Sequence, residues 1–572
     1  MEEPASAPEL GVEPVDYILA RWRELALDNG PWFVAGHGIG LRLRLEELKA
    51  VAEALQEGAL DERALKVLRN EAREVVNNAK GFLKSRYESL AEKLDRALGE
   101  KGGMVPGGRA FGTIAAAGDL LAEPAFGRAI AQELERRSEK VKDWQGLMAL
   151  DELIELLDAE LLFLGHSSAW RRDAVDRVEG AMAGAGVSLA EAVEDMLKTA
   201  GQEREMQVVL GLDSIKEPPS VKVQIKTHDE DEAISFIEGW DPSIDEGLLV
   251  FPEGAMVAQV DAPDPHAAVE GALEWFAVEQ SLWRLQDGEV SLQPNVLVFD
   301  QPPSKAQPFE RPTPLDLMPG SISAYQELFD SERKQQSEPS ILADAFVQLV
   351  QARVTLPGAA IADLWSVAES VFSGVATETG SGAGEVMAGL AEHLFVRDVL
   401  RWLAEHYRAL GLGEPAPTES EAEWALALAA DPKKGALQAA EKAPDPLTAV
   451  RTSQVAAWVG GGDRMKEDLD WLDTRLRATA ARAYLVRNLV VHRSQPNRAR
   501  ALAATLRPFA GLLRECLDYL ATHSHEKGPV AAARMASLRV RLLADDYAGA
   551  KIRGEGLAPL RAAIDLSDPA NS

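Results

Sequence analysis

The sequence predicts a mainly α, multi-domain protein with a small central α+β domain and a helical bundle at its C-terminal end. Three observations carry this. The chain has 572 residues, more than one core ordinarily serves, and 46% of them are apolar. Apolar residues recur at three- and four-residue spacing before residue 207 and after 340. Strand-like alternation is confined to the segment between those limits. The expected organisation is 1–206 helical, 207–305 α+β, 306–340 a Pro-rich linker and helix, 341–545 the helical bundle with an insertion at 411–445, and 546–572 a tail.

Residues 1–13 are rich in Pro and Glu and read as a disordered tail. A helix is expected over 14–28. Gly36-His37-Gly38-Ile39-Gly40 follows, whose spacing matches neither the P-loop nor the dinucleotide fingerprint, so a turn is the reading. Helical periodicity runs from Glu46 to Leu98, a glycine-rich loop interrupts at 102–108, and helices resume to Arg137 and over Leu147–Phe163. Gly165 ends that helix, a serine can start the next, and His166 reads as a turn residue.

Strands are expected at Val221–Ile225, Leu248–Phe251, Met256–Val260 and Asn295–Phe299, with a helix over His266–Leu285 and a hairpin at Pro252–Ala255. His228-Asp229-Glu230-Asp231-Glu232 has the composition of a metal cluster, but the simpler reading makes Asp229 a helix cap with acids in the first turn. Asp261, Asp264 and His266 read as a Pro-broken turn and a cap. From Ile341 the pattern is helical again, with a further helix over Glu385–Tyr407 whose His393 and His406 read as structural. The lone Cys516 excludes an internal disulfide and suits a reducing cytosol, so a cytoplasmic location is expected. No apolar run reaches about 18 residues, so no membrane span is expected, and the acidic start lacks the basic beginning of a signal peptide.

The chemistry concentrates in Tyr484-Leu485-Val486-Arg487-Asn488-Leu489-Val490-Val491-His492, with Pro496 beyond as a helix stop. Asn488 and His492 are four apart and share a helix face. Arg487 and His492 are five apart, so their directions differ by about 140°. The arginine stem must bend round, the helix must loosen toward Pro496, or a second copy must complete the site. An imidazole can move a proton to or from ribose oxygens near neutral pH, and a guanidinium can hold a phosphate with forked hydrogen bonds. An amide can orient the imidazole or bond the phosphate. These types together suit RNA phosphodiester cleavage without metal. The plainer alternative is a helix with an accidental Arg-Asn and a distant His.

The stretch resembles the signature of the HEPN superfamily (higher eukaryote and prokaryote nucleotide-binding), in its Apea-like branch: arginine, then often Asn, then three residues and histidine. Leu364-Trp365-Ser366-Val367-Ala368-Glu369 is similar to the W-x-x-x-E of that branch's early helix. Arg493 after the histidine departs from the glycine-containing turn common there. The resemblance implies a HEPN-like bundle over the last two-fifths of the chain, a homodimer or higher oligomer, and a role in phage defence or as a toxin. The other regions would then sense a phage-derived or nucleotide trigger, or restrain the bundle.

Trp365 and Glu369 share a helix face. A buried Glu369 needs a partner, for which Arg487 is the candidate; a surface carboxylate is the alternative. The net charge of −31 argues against a general nucleic-acid-coating protein. Yet between Thr474 and Arg514 there are nine arginines and no acidic residue. Either these form a plain solvated face or they attract RNA, with Arg482, Arg493 and Arg498 nearest the motif. The favoured expectation is a metal-independent endoribonuclease with no cofactor, in which His492 is the acid/base, Arg487 the phosphate clamp, Asn488 the orienting group and Glu369 their support. The alternatives are a non-catalytic HEPN module that binds nucleotide or RNA or scaffolds an assembly, and a metal-dependent hydrolase. The last is disfavoured because no compact His/Asp/Glu ligand set is present.

Overall fold

The computed structural model describes residues 12–26, 40–56, 62–87, 89–99, 104–121, 125–200, 202–216, 227–241, 244, 251, 253–284, 289–300, 305–310, 341–352, 357–372, 381–415, 424, 428, 445–460, 462–493, 499–523 and 532–538. The expected strand at Val221–Ile225, the glycine turn at 36–40 except Gly40, most of the strand at Leu248–Phe251 and the tail beyond 546 lie outside these.

The described residues are mainly helical. The N-terminal unit comprises α1 (Pro14–Ala26), α2 (Leu41–Gln56), α3 (Glu62–Asn78), α4 (Lys80–Arg86), α5 (Leu90–Gly99), α6 (Arg109–Leu121), α7 (Ala125–Ser138), α8 (Trp144–Met148), α9 (Asp151–Phe163), α10 (Ser168–Ala185) and α11 (Leu189–Thr199). Capping sets several of these limits. Ser167 accepts from the Trp170 amide to start α10, and Gly186 ends it with a left-handed φ of 65°. Ser188 and Glu191 form a reciprocal capping box on α11. One core, containing Trp22, Leu48, Phe82, Phe126 and Leu157, joins these helices.

The central unit is a five-stranded antiparallel sheet in the order β2-β3-β1-β4-β5. Its strands are β1 (Arg204–Lys216), β2 (Thr227–His228), β3 (Ala255–Ala262), β4 (Glu289–Phe299) and β5 (Gln307–Glu310). Helix α12 (Glu230–Trp240) covers one face and α13 (Pro265–Arg284) the other. The central strand β1 is not among the strands expected from the sequence. Its Val208 and Leu210 pack with α13 while Val209 packs with α12. A strand buried on both faces shows no polar-apolar alternation, which is why it did not register. Asp229 does cap α12, accepting from the Glu232 amide at 2.9 Å. The turn before β3 rests on Gly254, whose φ of 84° favours glycine.

The boundaries of this unit shift outward at both ends. β1 begins at Arg204, and β5 lies inside the stretch expected as a Pro-rich linker. Pro308 fits there because β5 is an edge strand, where a missing amide donor costs no ladder bond.

The C-terminal unit comprises α14 (Ile341–Ala352), α15 (Pro357–Phe372), α16 (Ser381–Ala409), α17 (Pro446–Gly460), α18 (Gly462–Arg493) and α19 (Ala499–His523). Trp365, Met387, Leu403, Leu476, Phe509 and Leu513 are among its core. Gly384 lets α16 approach α18 closely, since a Cβ there would stand 3.0 Å from that of Ala480. Within the expected insertion at 411–445, Trp424 is buried in this core and meets Tyr407 edge-on, so that residue is packed rather than part of a free loop.

The two helical units share α18. Leu485 belongs to the N-terminal core, whereas Ala483 and Val486 belong to the C-terminal one. No helix among the described residues is long and apolar enough to cross a membrane.

Candidate functional site

Three helices of the C-terminal bundle assemble the candidate site. α15 presents Trp365 and, one turn on, Glu369. α18 presents Tyr484, Arg487 and Asn488, and α19 presents Phe509. Trp365 is buried and packs against Tyr484 and Phe509, with ring centroids 5.4 and 5.7 Å away. This aromatic wedge sets the spacing of α15 and α18, and so brings Glu369 toward Arg487. Nη2 of Arg487 lies 3.9 Å from Oε2 of Glu369. Both side chains are half-buried, at 26% and 33% exposure.

Arg487 Nη1 donates to Asn488 Oδ1 at 2.8 Å. Asn488 is buried at 3% exposure. Its carbonyl oxygen therefore steadies the guanidinium, whereas the motif alone points the amide toward the imidazole or the phosphate.

The backbone of α18 is helical through His492 to Arg493. Up to Arg493 the helix does not loosen, and residues 494–498 lie outside the described ones. Arg487 and His492 keep the divergence of about 140° that an unbroken helix imposes. The side chains of His492 and Arg493, and the whole of Arg498, lie outside the described residues.

No protein-family model matches the chain, and no curated protein or solved structure is significantly similar to it. The site's chemistry rests on its own residues.

Arg482 is not where an RNA contact would need it. It is buried at 2% exposure, with Nε 2.9 Å from Glu47 and Nη2 2.9 Å from Glu71. Arg44 pairs with the same Glu71. Burial pushes the Glu47 carboxyl above its usual value, and Arg482 offsets only part of that. Burial acts on Glu71 likewise, but Arg44 and Arg482 together outweigh it and hold that carboxyl below its usual value. Arg482 is thus an interior tie between α18 and the N-terminal helices α2 and α3.

The same correction extends to most of the arginine stretch. Arg475 pairs with Glu155 at 2.6 Å, Arg477 with Asp473 at 2.8 Å, Arg507 with Glu270 at 3.4 Å and Arg514 with Glu515 at 3.8 Å. With Arg482 and Arg487, six of the nine arginines face a carboxylate. Several of these acids are hundreds of residues away, so the apparent local excess of positive charge is cancelled by the fold. Of the expected RNA contacts besides Arg482, the side chain of Arg493 and the whole of Arg498 lie outside the described residues.

His166, expected as a turn residue, is a buried structural pair. Its Nδ1 lies 2.9 Å from Oδ2 of Asp264, and its ring stacks on Trp170 at 3.6 Å. Burial keeps the imidazole below its usual pKa despite the carboxylate. Asp264 also accepts from the amides of Ser167 and Ala267, capping α13 and tying the sheet unit to α10. His393 is buried edge-on to Tyr519, and Nε2 of His406 meets the Thr448 hydroxyl at 3.2 Å. Among the described residues no group of three His, Cys, Asp or Glu could hold a metal ion.

Proposed function

We propose that the protein is a metal-independent endoribonuclease whose site is built on α18. One observation carries the reading. The Arg487 guanidinium is held by Asn488 on one side and faces Glu369 on the other, on the same unbroken helix as His492.

In this reading the phosphate of a bound RNA meets Arg487, which offsets charge as the phosphorane develops. His492 removes the proton of the 2′-hydroxyl or supplies one to the leaving 5′-oxygen. The bond formed is 2′-oxygen to phosphorus and the bond broken is phosphorus to 5′-oxygen, leaving a 2′,3′-cyclic phosphate. Glu369 holds the guanidinium when no phosphate is present. One helix supplies one imidazole, so two chains facing each other would provide both acid and base. A role in phage defence or as a toxin belongs to this proposal through the motif's resemblance.

The second reading is a non-catalytic module that binds RNA or nucleotide, or scaffolds an assembly. The buried tie of α18 to the N-terminal unit favours it, because that tie makes the helix a structural joint as well. Labelled RNA and the matching DNA, incubated with wild type and His492→Ala with and without EDTA, separate the two. The ribonuclease reading expects RNA cleavage that survives EDTA, a cyclic phosphate end, intact DNA, and a loss of about a hundredfold or more in His492→Ala. Cleavage of DNA, dependence on metal, or equal activity in both proteins would overturn it.

A further inference from the structure

A cleft of about 510 Å3 lies between the two helical units, and Arg487 is not among the residues that line it. Its size is within the range of small-molecule sites. Its walls include four aromatic rings, Trp144 from α8, Phe395 from α16, Trp458 from α17 and Trp471 from α18. Four arginines and five carboxylates also line it.

The charges are nearly all spoken for. Arg21 pairs with Glu24, Asp151 and Glu155. Arg451 reaches Glu24 and Asp151, Arg464 meets Asp468 at 2.9 Å, and Arg475 meets Glu155 at 2.6 Å. Asp468 further accepts from Trp458 Nε1 at 2.6 Å and Gln454 at 2.9 Å. Glu152 is the exception. It lines the cleft, yet joins no ion pair and no hydrogen bond among the described residues. Burial and the neighbouring Glu155 carboxylate raise its pKa, and Arg475 and Arg137, neither close enough to pair with it, offset only part of that.

We propose that this cleft binds a small organic cation, a primary ammonium, guanidinium or quaternary ammonium group, on Glu152 and the surrounding aromatic rings. An anionic ligand would find each guanidinium already matched by a carboxylate. A metal ion would find a single available carboxylate among rings that cannot coordinate it. A soft organic cation finds one carboxylate outside any ion pair and ring faces that attract it. Trp471 already demonstrates the attraction, since the Arg475 guanidinium sits 4.1 Å over its ring centroid. The ligand would bridge α8 and α9 of one unit to α16, α17 and α18 of the other. The proposal is independent of RNA cleavage.

Isothermal titration calorimetry on the full chain tests it, with agmatine, putrescine and tetramethylammonium chlorides as probes at constant ionic strength. At least one probe is expected to bind saturably. Glu152→Gln should weaken that binding at least tenfold, while Glu179→Gln, an exposed acid on α10, should leave it unchanged. If Glu152→Gln fails to melt cooperatively, Trp471→Leu is titrated instead, and a similar weakening is expected. No heat from any of the three probes, equal binding by the variant, or saturable binding of inorganic phosphate in place of the amines would overturn the assignment.

Discussion

At the scale of single residues, environment decides what each titratable group does. Glu515 on α19 shows this. Burial, with the Asp398 carboxylate nearby, pushes its carboxyl up to about 7, and Arg514 at 3.8 Å offsets only part of the effect. Between the ordinary carboxylate value and about 7, the folded protein therefore holds a proton that the unfolded chain has released. Stability must fall as pH climbs through that window. Glu515→Gln removes the ionisation. Its Tm should rise relative to wild type at pH 8 and differ little at pH 4, as scanning calorimetry at the two values would measure; an equal effect at both would mean that ionisation is not the cause. The residue scale is also where a partner distant in the chain is invisible to the sequence, although His166 does lie in the turn between α9 and α10. His166 sits beside a glycine and two serines, which reads as a turn. Its carboxylate partner Asp264 is 98 residues away and can be identified only in the folded chain.

At the scale of elements, α18 has two jobs with different chemistry on different faces. Arg482 and Leu485 face the N-terminal unit, Ala483 and Val486 fill the C-terminal core, and Arg487 faces Glu369. Removing Arg482 leaves Glu47 and Glu71 buried with only Arg44 between them. Arg482→Ala should cost about 3–5 kcal/mol, the range for breaking one partner out of a buried ion pair, seen as a lower urea midpoint. Arg493→Glu with Arg498→Glu should instead spare stability and weaken RNA binding with a shallower salt dependence. If the Arg482 variant keeps its stability and loses only RNA affinity, the buried tie is not its role. The helical periodicity of α18 was plain in the sequence, as was the one-turn spacing of Trp365 and Glu369. Which face met which unit was not, because apolar residues lie on most sides of this helix, and a pattern that points in several directions selects no partner.

At the scale of the whole molecule, carboxylates of the N-terminal unit bind arginines of the C-terminal unit: Glu24 and Asp151 with Arg451, Glu155 with Arg475, Glu47 and Glu71 with Arg482. The proposed ribonuclease must meet a second copy with α18 held in this way. Sedimentation of the purified chain should therefore show a dimer or larger species whenever RNA is cleaved, and a fully active monomer would remove the paired-site mechanism. The sequence by itself determined the helical character of both ends, the presence of a central α+β unit, the cap at Asp229, and the placement of Arg487, Asn488 and His492 on one helix. These follow from spacing, propensity and local hydrogen bonding, all of which act within a few residues. The tertiary structure alone decided that β1 is the central strand, that most of the basic stretch is neutralised, that Arg482 is interior, and that Glu152 lines a ring-walled cleft with no ion pair or hydrogen bond among the described residues. Each of those depends on pairing between residues far apart in the chain, where burial and charge are set by whichever group the fold brings alongside.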